Sequence, residues 1–198
     1  QRPVAATHSR RDERGALATA ARVIALVHEA AAVRLKQDLV GFYAAGPVAH
    51  AMADSVGSRH WHRVESFHFD WCLYHQADKA VKTVYAGTHW DDAAFAARLD
   101  EAATRVQLLE RPARTLQPGA YRAALAPAAM AELLGTLGWS GFSLKARRTG
   151  VSSLMRLQRG EAAFAPGFHL EEAFARSTTP AFSPEGFTRP DAVVLVDD

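Results

Sequence analysis

Between Trp61 and His75 the chain alternates: Glu65, Phe67, Phe69, Trp71 and Leu73 share one parity, and Ser66, His68, Asp70, Cys72 and Tyr74 the other. A period of two belongs to a strand, whose successive side chains leave on opposite faces. This stretch therefore predicts a strand with one buried face, and the rest of the chain must supply a sheet around it and a cover. Ala80 to Gly87 reads as the returning antiparallel partner, with Gln76-Ala77-Asp78-Lys79 as the hairpin connection.

The covering elements are legible as helices. Leu17, Ala20, Ala21, Ile24, Val27, Ala31 and Leu35 recur at three- and four-residue spacing, which predicts an amphipathic helix over about residues 15–36. Phe95, Leu99, Ala102, Val106 and Leu109 form a second stripe, behind carboxylates at Asp91 and Asp92 and ahead of Pro112, which stops that helix. Val40 to Ala45 and His50 to Asp54 read as two short strands joined through Gly46-Pro47, with a turn at Val56-Gly57-Ser58. Leu116 to Gly119 predicts a turn, Tyr121 to Leu125 a strand, and Pro127 the first turn of a helix that runs to about Leu137 and leaves through Gly138. The last sixty residues, rich in Gly, Pro, Ser and Thr, hold short elements, with Val193 to Val196 as a further strand that has no partner following it in sequence. The expected fold class is α+β: antiparallel sheet with two to three packed helices. Residues 1–14 are expected to be a flexible lead-in, 15–110 to hold the helix, the antiparallel strands and the second helix, and 111–198 to form a carboxy-terminal region.

Composition narrows the function classes. A formal charge of +2 with scattered Lys and Arg lacks the clustered basic face of a dedicated nucleic-acid binder, so no direct nucleic-acid binding is expected. The single cysteine, Cys72, excludes an intrachain disulfide framework and fits a reducing compartment. No apolar run approaches the roughly 20 residues that span a bilayer, and Gln1-Arg2-Pro3 does not open a secretory signal. The first residue is not Met, which fits a trimmed or partial chain.

Catalytic constellations are weighed on spacing. His28-Glu29 resembles the start of a zinc-protease helix, but a second histidine one turn on is required, and Ala32 and Val33 stand there. His60 and His62 flank Trp61 on one strand, which puts both imidazoles on one face where a metal would need a third ligand such as His68 or His75. A solvated or hydrogen-bonded face is the simpler reading. Cys72, mid-strand between Trp71 and Leu73, reads as a packed small hydrophobe. The aromatic residues Trp61, Phe67, Phe69 and Trp71 read as core or interface rather than a base-stacking platform, since Glu65 and Asp70 lie among them. No nucleophile elbow, P-loop or dinucleotide fingerprint is present, so no catalytic, cofactor-binding or metal-ligating residue is assigned.

Several punctuated stretches, in order, resemble the TldD/PmbA family, the metalloprotease-related modulators of DNA gyrase. Met52-Ala53-Asp54-Ser55-Val56-Gly57 is similar to the family's strand ending in an Asn-Ser-x-Gly turn, with Asp54 in place of Asn. Leu116-Gln117-Pro118-Gly119-Ala120-Tyr121, continuing through Leu125-Ala126-Pro127 to Leu133-Leu134, is similar to its Pro-Gly-x-Tyr strand, proline and helix. Gly150-Val151-Ser152-Ser153-Leu154 with Gly160, and Phe182-Ser183-Pro184-Glu185-Gly186 after an acidic pair at Glu171-Glu172, resemble later family segments. Leu133-Leu134-Gly135-Thr136-Leu137-Gly138 occupies the place of the His-Glu-x-x-x-His zinc helix, so the resemblance is to the PmbA/TldE branch. It implies a cytoplasmic, partial or shortened subunit that acts in proteolysis or maturation of a peptide substrate. The implied cofactor, zinc, would sit in a TldD-type metalloprotease partner, with no cofactor in this chain, inside a homo- or hetero-oligomer and away from membranes. Two other readings stand beside it: a binding or scaffold module without proteolysis, and an independent metal enzyme using His60 and His62.

Overall fold

The computed structural model describes residues 5–76 and 79–197, with the side chains of all of these except Val33 and Arg34. The chain divides into two compact units, Gln1–Thr115 with Ser177–Arg189 and Leu116–Arg176 with Pro190–Asp198. The fold is α+β.

The first unit is organised by one long strand. Strand β3 (Arg59–Gln76) pairs antiparallel with β2 (Asp38–Ala53) along the whole of β2, and its other side is shared by two strands. There β1 (His8–Glu13) runs parallel to Arg59–Val64, and β4 (Lys79–Gly87) runs antiparallel to Phe67–Gln76. Segment 8–13 is thus a strand and not part of a lead-in: its backbone groups pair with the amino-terminal half of β3, which β4 is too short to reach. Residues 1–4, and Ala77 and Asp78 of the expected hairpin connection, lie outside the described residues.

Helix α1 (Ala20–Val27) starts at Thr19, whose hydroxyl accepts from the Arg22 N–H at 3.2 Å, and it continues as a π-helical segment, His28–Leu35. The expected start near residue 15 is corrected: Gly15 to Ala18 are not helical, and Ala16 is bridged to His89. Helix α2 (Asp92–Leu108) is capped by Asp91, whose carboxylate accepts from the Ala93 and Ala94 N–H groups at 2.7 and 3.0 Å. Both elements pack on the odd-numbered face of the sheet. Phe67, Phe69, Trp71, Leu73 and Tyr85 meet Phe95, Leu99, Ala102 and Val106 of α2 and Val23 and Ala31 of the first helix, as the two stripes require. Each fully buried large side chain here contributes about 1.5–3 kcal/mol.

The other half of β3 buries its opposite face. His60, His62 and Val64 are buried, Phe67 to Leu73 are buried at the other parity, and the change falls at Glu65-Ser66. The second cover is a strap, Ser177–Arg189, that crosses the face carrying Ser9 and Arg11 of β1, His60 and His62 of β3 and Met52 of β2. Phe182 stacks on the His60 ring at 4.9 Å, and Gly186, at φ 86°, sits so close to the Met52 side chain that a Cβ there would collide with it.

The two short strands expected on either side of Gly46-Pro47 are one continuous strand. Its register with β3 runs unbroken from Asp38 opposite Tyr74 to Ala53 opposite Arg59. Proline is tolerated because β2 is an edge strand, where a missing N–H need not cost a ladder bond.

The second unit holds α3 (Pro127–Gly138), with Pro127 in its first turn, two short helices α4 (Leu144–Arg148) and α5 (Met155–Gln158), and a two-stranded antiparallel sheet. Its strands are β5 (Leu170–Glu172) and β6 (Val193–Val196), so the last strand does have a partner, lying earlier in the chain. No strand forms at Tyr121–Leu125, where the backbone is exposed and irregular. No helix among the described residues is long and apolar enough to cross a membrane.

Candidate functional site

Among the described residues, strand β2 pairs along one side only, which leaves its other edge, sixteen residues long, without a partner strand. Beside it lies a groove of about 460 Å³ between the first helix and the strand, walled by Val23, Ile24, Val27 and Ala31 and floored by Leu39, Gly41, Tyr43 and Phe69. Alternation explains the floor: Gln37, Leu39, Gly41 and Tyr43 share the parity that faces the helix. Gly41 has to be glycine, because a Cβ would lie 2.6 Å from the Trp71 Cβ and 2.7 Å from the Phe69 ring. Tyr43 is held upright by donating its hydroxyl to the Ala18 carbonyl at 2.8 Å, and burial raises its pKa above the usual value.

The other face of the same edge is open. Val40 and Phe42 are 57% and 72% exposed, and they lie with His68, Cys72, Tyr74 and Val84 on a sheet surface that neither the helices nor the strap covers. Cys72 is therefore half-buried on this surface, not packed in the core. An ion pair between Lys82 and Asp70 at 3.3 Å crosses it.

His60 and His62 share a face, as spacing predicts, and that face lies beneath the strap. Both ring nitrogens of His60 are engaged, Nδ1 with the Ser9 hydroxyl at 2.8 Å and Nε2 with the Thr7 hydroxyl at 3.1 Å. His62 donates from Nε2 to the Thr178 carbonyl at 3.1 Å, which fixes its tautomer and leaves a buried Nδ1 with no partner. Burial, more than any neighbour, lowers its pKa; the Arg11 and His50 charges act in the same direction, against the Thr178 hydrogen bond and Glu13. His50 stands directly opposite on β2, ring centroid 6.1 Å away. Neither His68 nor His75 joins them: among the described residues no group of three or more His, Cys, Asp or Glu side chains is placed to hold a metal ion.

The residues behind the family resemblance take mainly conformational roles. Asp54 accepts from the Ser58 and Val56 N–H groups at 2.9 and 3.1 Å, and these bonds, Ser58 first, lower its pKa. It needs only an acceptor there. Pro118 to Tyr121 lie in exposed chain, with the Tyr121 hydroxyl donating back to the Gln117 carbonyl at 2.6 Å. Ser183 and Gly186 form the turn that brings Phe182 onto His60. Glu171 and Glu172 lie on β5, where His169 sits 3.2 Å from Asp197 and Glu171 pairs with Arg176 at 3.6 Å. His28 lines the groove, and Glu29 beside it is exposed.

Sequence spacing did not reveal the edge and its groove. The available signal was the run Asp38 to Ala53, which carries a single charged residue and places Val40 and Phe42 at the parity opposite Leu39 and Tyr43. Compared with models of protein families, with curated proteins and with solved structures, the chain matches none.

Proposed function

We propose that this chain is a non-catalytic subunit that holds an extended peptide on the free edge of β2, in the manner expected from its resemblance to the TldD/PmbA proteins. The observation that carries the reading is the edge of β2, unpaired among the described residues, whose first stretch from Asp38 to Tyr43 runs beside an apolar groove. Adding a strand to such an edge satisfies the backbone groups of both partners, and alternate side chains of the guest enter the groove. Main-chain pairing reads length and extension more than side-chain identity, which suits a subunit that presents many peptides. Cleavage would fall to a zinc-bearing TldD-type partner.

The test has two parts. An eight-residue labelled peptide is titrated against the chain, beside the same peptide N-methylated on alternate amides; the reading requires that methylation abolish binding. A peptidase assay then compares the chain alone with the chain plus a TldD-type subunit. Zinc-dependent cleavage by the chain alone would contradict the proposal.

A further inference from the structure

We infer that the β2 site selects a largely apolar extended peptide carrying a cationic N–H group, a terminal ammonium or a Lys or Arg side chain, at the end that lies against Gln37 and Asp38. This rests on the proposed edge binding and adds the chemistry of the ligand.

A guest strand on β2 sends its side chains alternately to the two faces of the sheet. On the helix-facing side it meets Val23, Ile24 and Val27 across from Leu39 and Tyr43, so these positions favour apolar side chains. On the open side it lies opposite Val40 and Phe42, both exposed. Cross-strand neighbours on one face interact as pairs, which favours apolar or aromatic residues there too.

The polar end differs on both faces. Asp38 is exposed, is the only charged residue of β2, and among the described side chains is the one acidic residue lining the groove, with no described Lys or Arg in that lining. Gln37 continues the helix-facing row, and its buried Oε1 accepts no hydrogen bond. Lys36, next in the chain, is not in the groove's lining but shares with Gln37, Asp38, Tyr74 and His75 an adjoining recess, where no ion pair joins it to Asp38 among the described residues. The exposed Asp38 carboxylate at this end calls for a donor, and a Lys or Arg side chain or a terminal ammonium supplies it. His28 and Tyr43, the other titratable groups in the described lining, add no negative charge, since burial raises the Tyr43 pKa and keeps its hydroxyl neutral.

The experiment uses fluorescence anisotropy with a carboxy-terminally labelled octapeptide of valine, phenylalanine and threonine that begins with lysine. Replacing lysine by norleucine and acetylating the amino terminus, singly and together, separates the two sources of the cation. With both removed, affinity should fall by about 1.5-fold to fivefold, the range of an exposed ion pair. Asp38→Asn should reduce affinity for the parent peptide by the same factor and show no preference between the parent and its neutral version. Asp38→Lys should prefer a glutamate-first acetylated peptide over the lysine-first one. Ile24→Gln, at an exposed position of the groove wall, should weaken every peptide alike. Equal affinity for the charged and neutral peptides, with N-methylation still blocking both, would overturn the ligand class and leave edge binding standing. Indifference to N-methylation, or no binding by any peptide, would overturn both.

Discussion

His62 shows how one side chain ties acidity to structure. It is 1% exposed, donates from Nε2 to the strap carbonyl of Thr178, and has no acceptor for a proton on Nδ1. Its folded pKa is lowered below the ordinary value of 6.5 by burial first and by Arg11 and His50 after that. Between the lowered value and 6.5 the unfolded chain binds more protons than the folded one, so stability is complete above 6.5 and falls as the pH drops through that window. Urea midpoints of the wild-type chain should therefore fall between pH 7.5 and pH 5, and His62→Gln, which retains a donor for Thr178 but does not titrate, should flatten that fall. An unchanged slope in the variant would place the acid sensitivity elsewhere. Gly41 makes a steric claim of the same size. Gly41→Ala puts a methyl group within 2.9 Å of the Asp70 carbonyl as well as against Trp71 and Phe69, so it should destabilise the first unit by about 1–3 kcal/mol, measured by chemical denaturation.

At the scale of elements, legibility followed locality. The alternation of Phe67, Phe69, Trp71 and Leu73 and the stripe of Phe95, Leu99, Ala102 and Val106 are local patterns, and the structure joins them in one core. Strand β1, His8–Glu13, carries no apolar alternation, and it is a strand because β3 offers it backbone partners some fifty residues away. The change of buried face at Glu65-Ser66 has no local signal either, since the cover over His60 and His62 arrives from Ser177 onward. Gly46-Pro47 looked like a break, but at an edge it interrupts nothing. The same distance effect hid the candidate site: a strand can be read from residues 38–53, whereas its free side is a property of the whole sheet. That free side also makes a prediction. An edge this long, guarded by Pro47 and little charge, with Phe42 and Val40 outward, favours self-pairing. Phe42→Lys should leave the thermal midpoint nearly unchanged and lower light scattering on concentration; equal scattering would mean that the edge is not the sticky surface.

The two units differ in how their longer helices are held. Helix α2 of the first unit buries Phe95, Leu99, Ala102, Ala103 and Val106. In the second unit α3 buries no residue at all, with Leu133 51% and the following Trp139 92% exposed. A helix held by so little packing opens at low cost. The two units should then respond differently to the same chemical change. Leu99→Ala, at 0% exposure in the first unit, should cost about 2–5 kcal/mol, while Leu133→Ala should stay within about 0.5 kcal/mol. Hydrogen exchange should show α3 amides exchanging orders of magnitude faster than those of α2 and β3, and limited proteolysis should cut first between residues 110 and 140. A partner that covers α3 would slow both, and the degree of slowing, read with and without a TldD-type subunit, measures how much of the exposed surface that subunit occupies. Protection of α3 in the isolated chain equal to that of α2 would show that the helix is covered already and needs no partner.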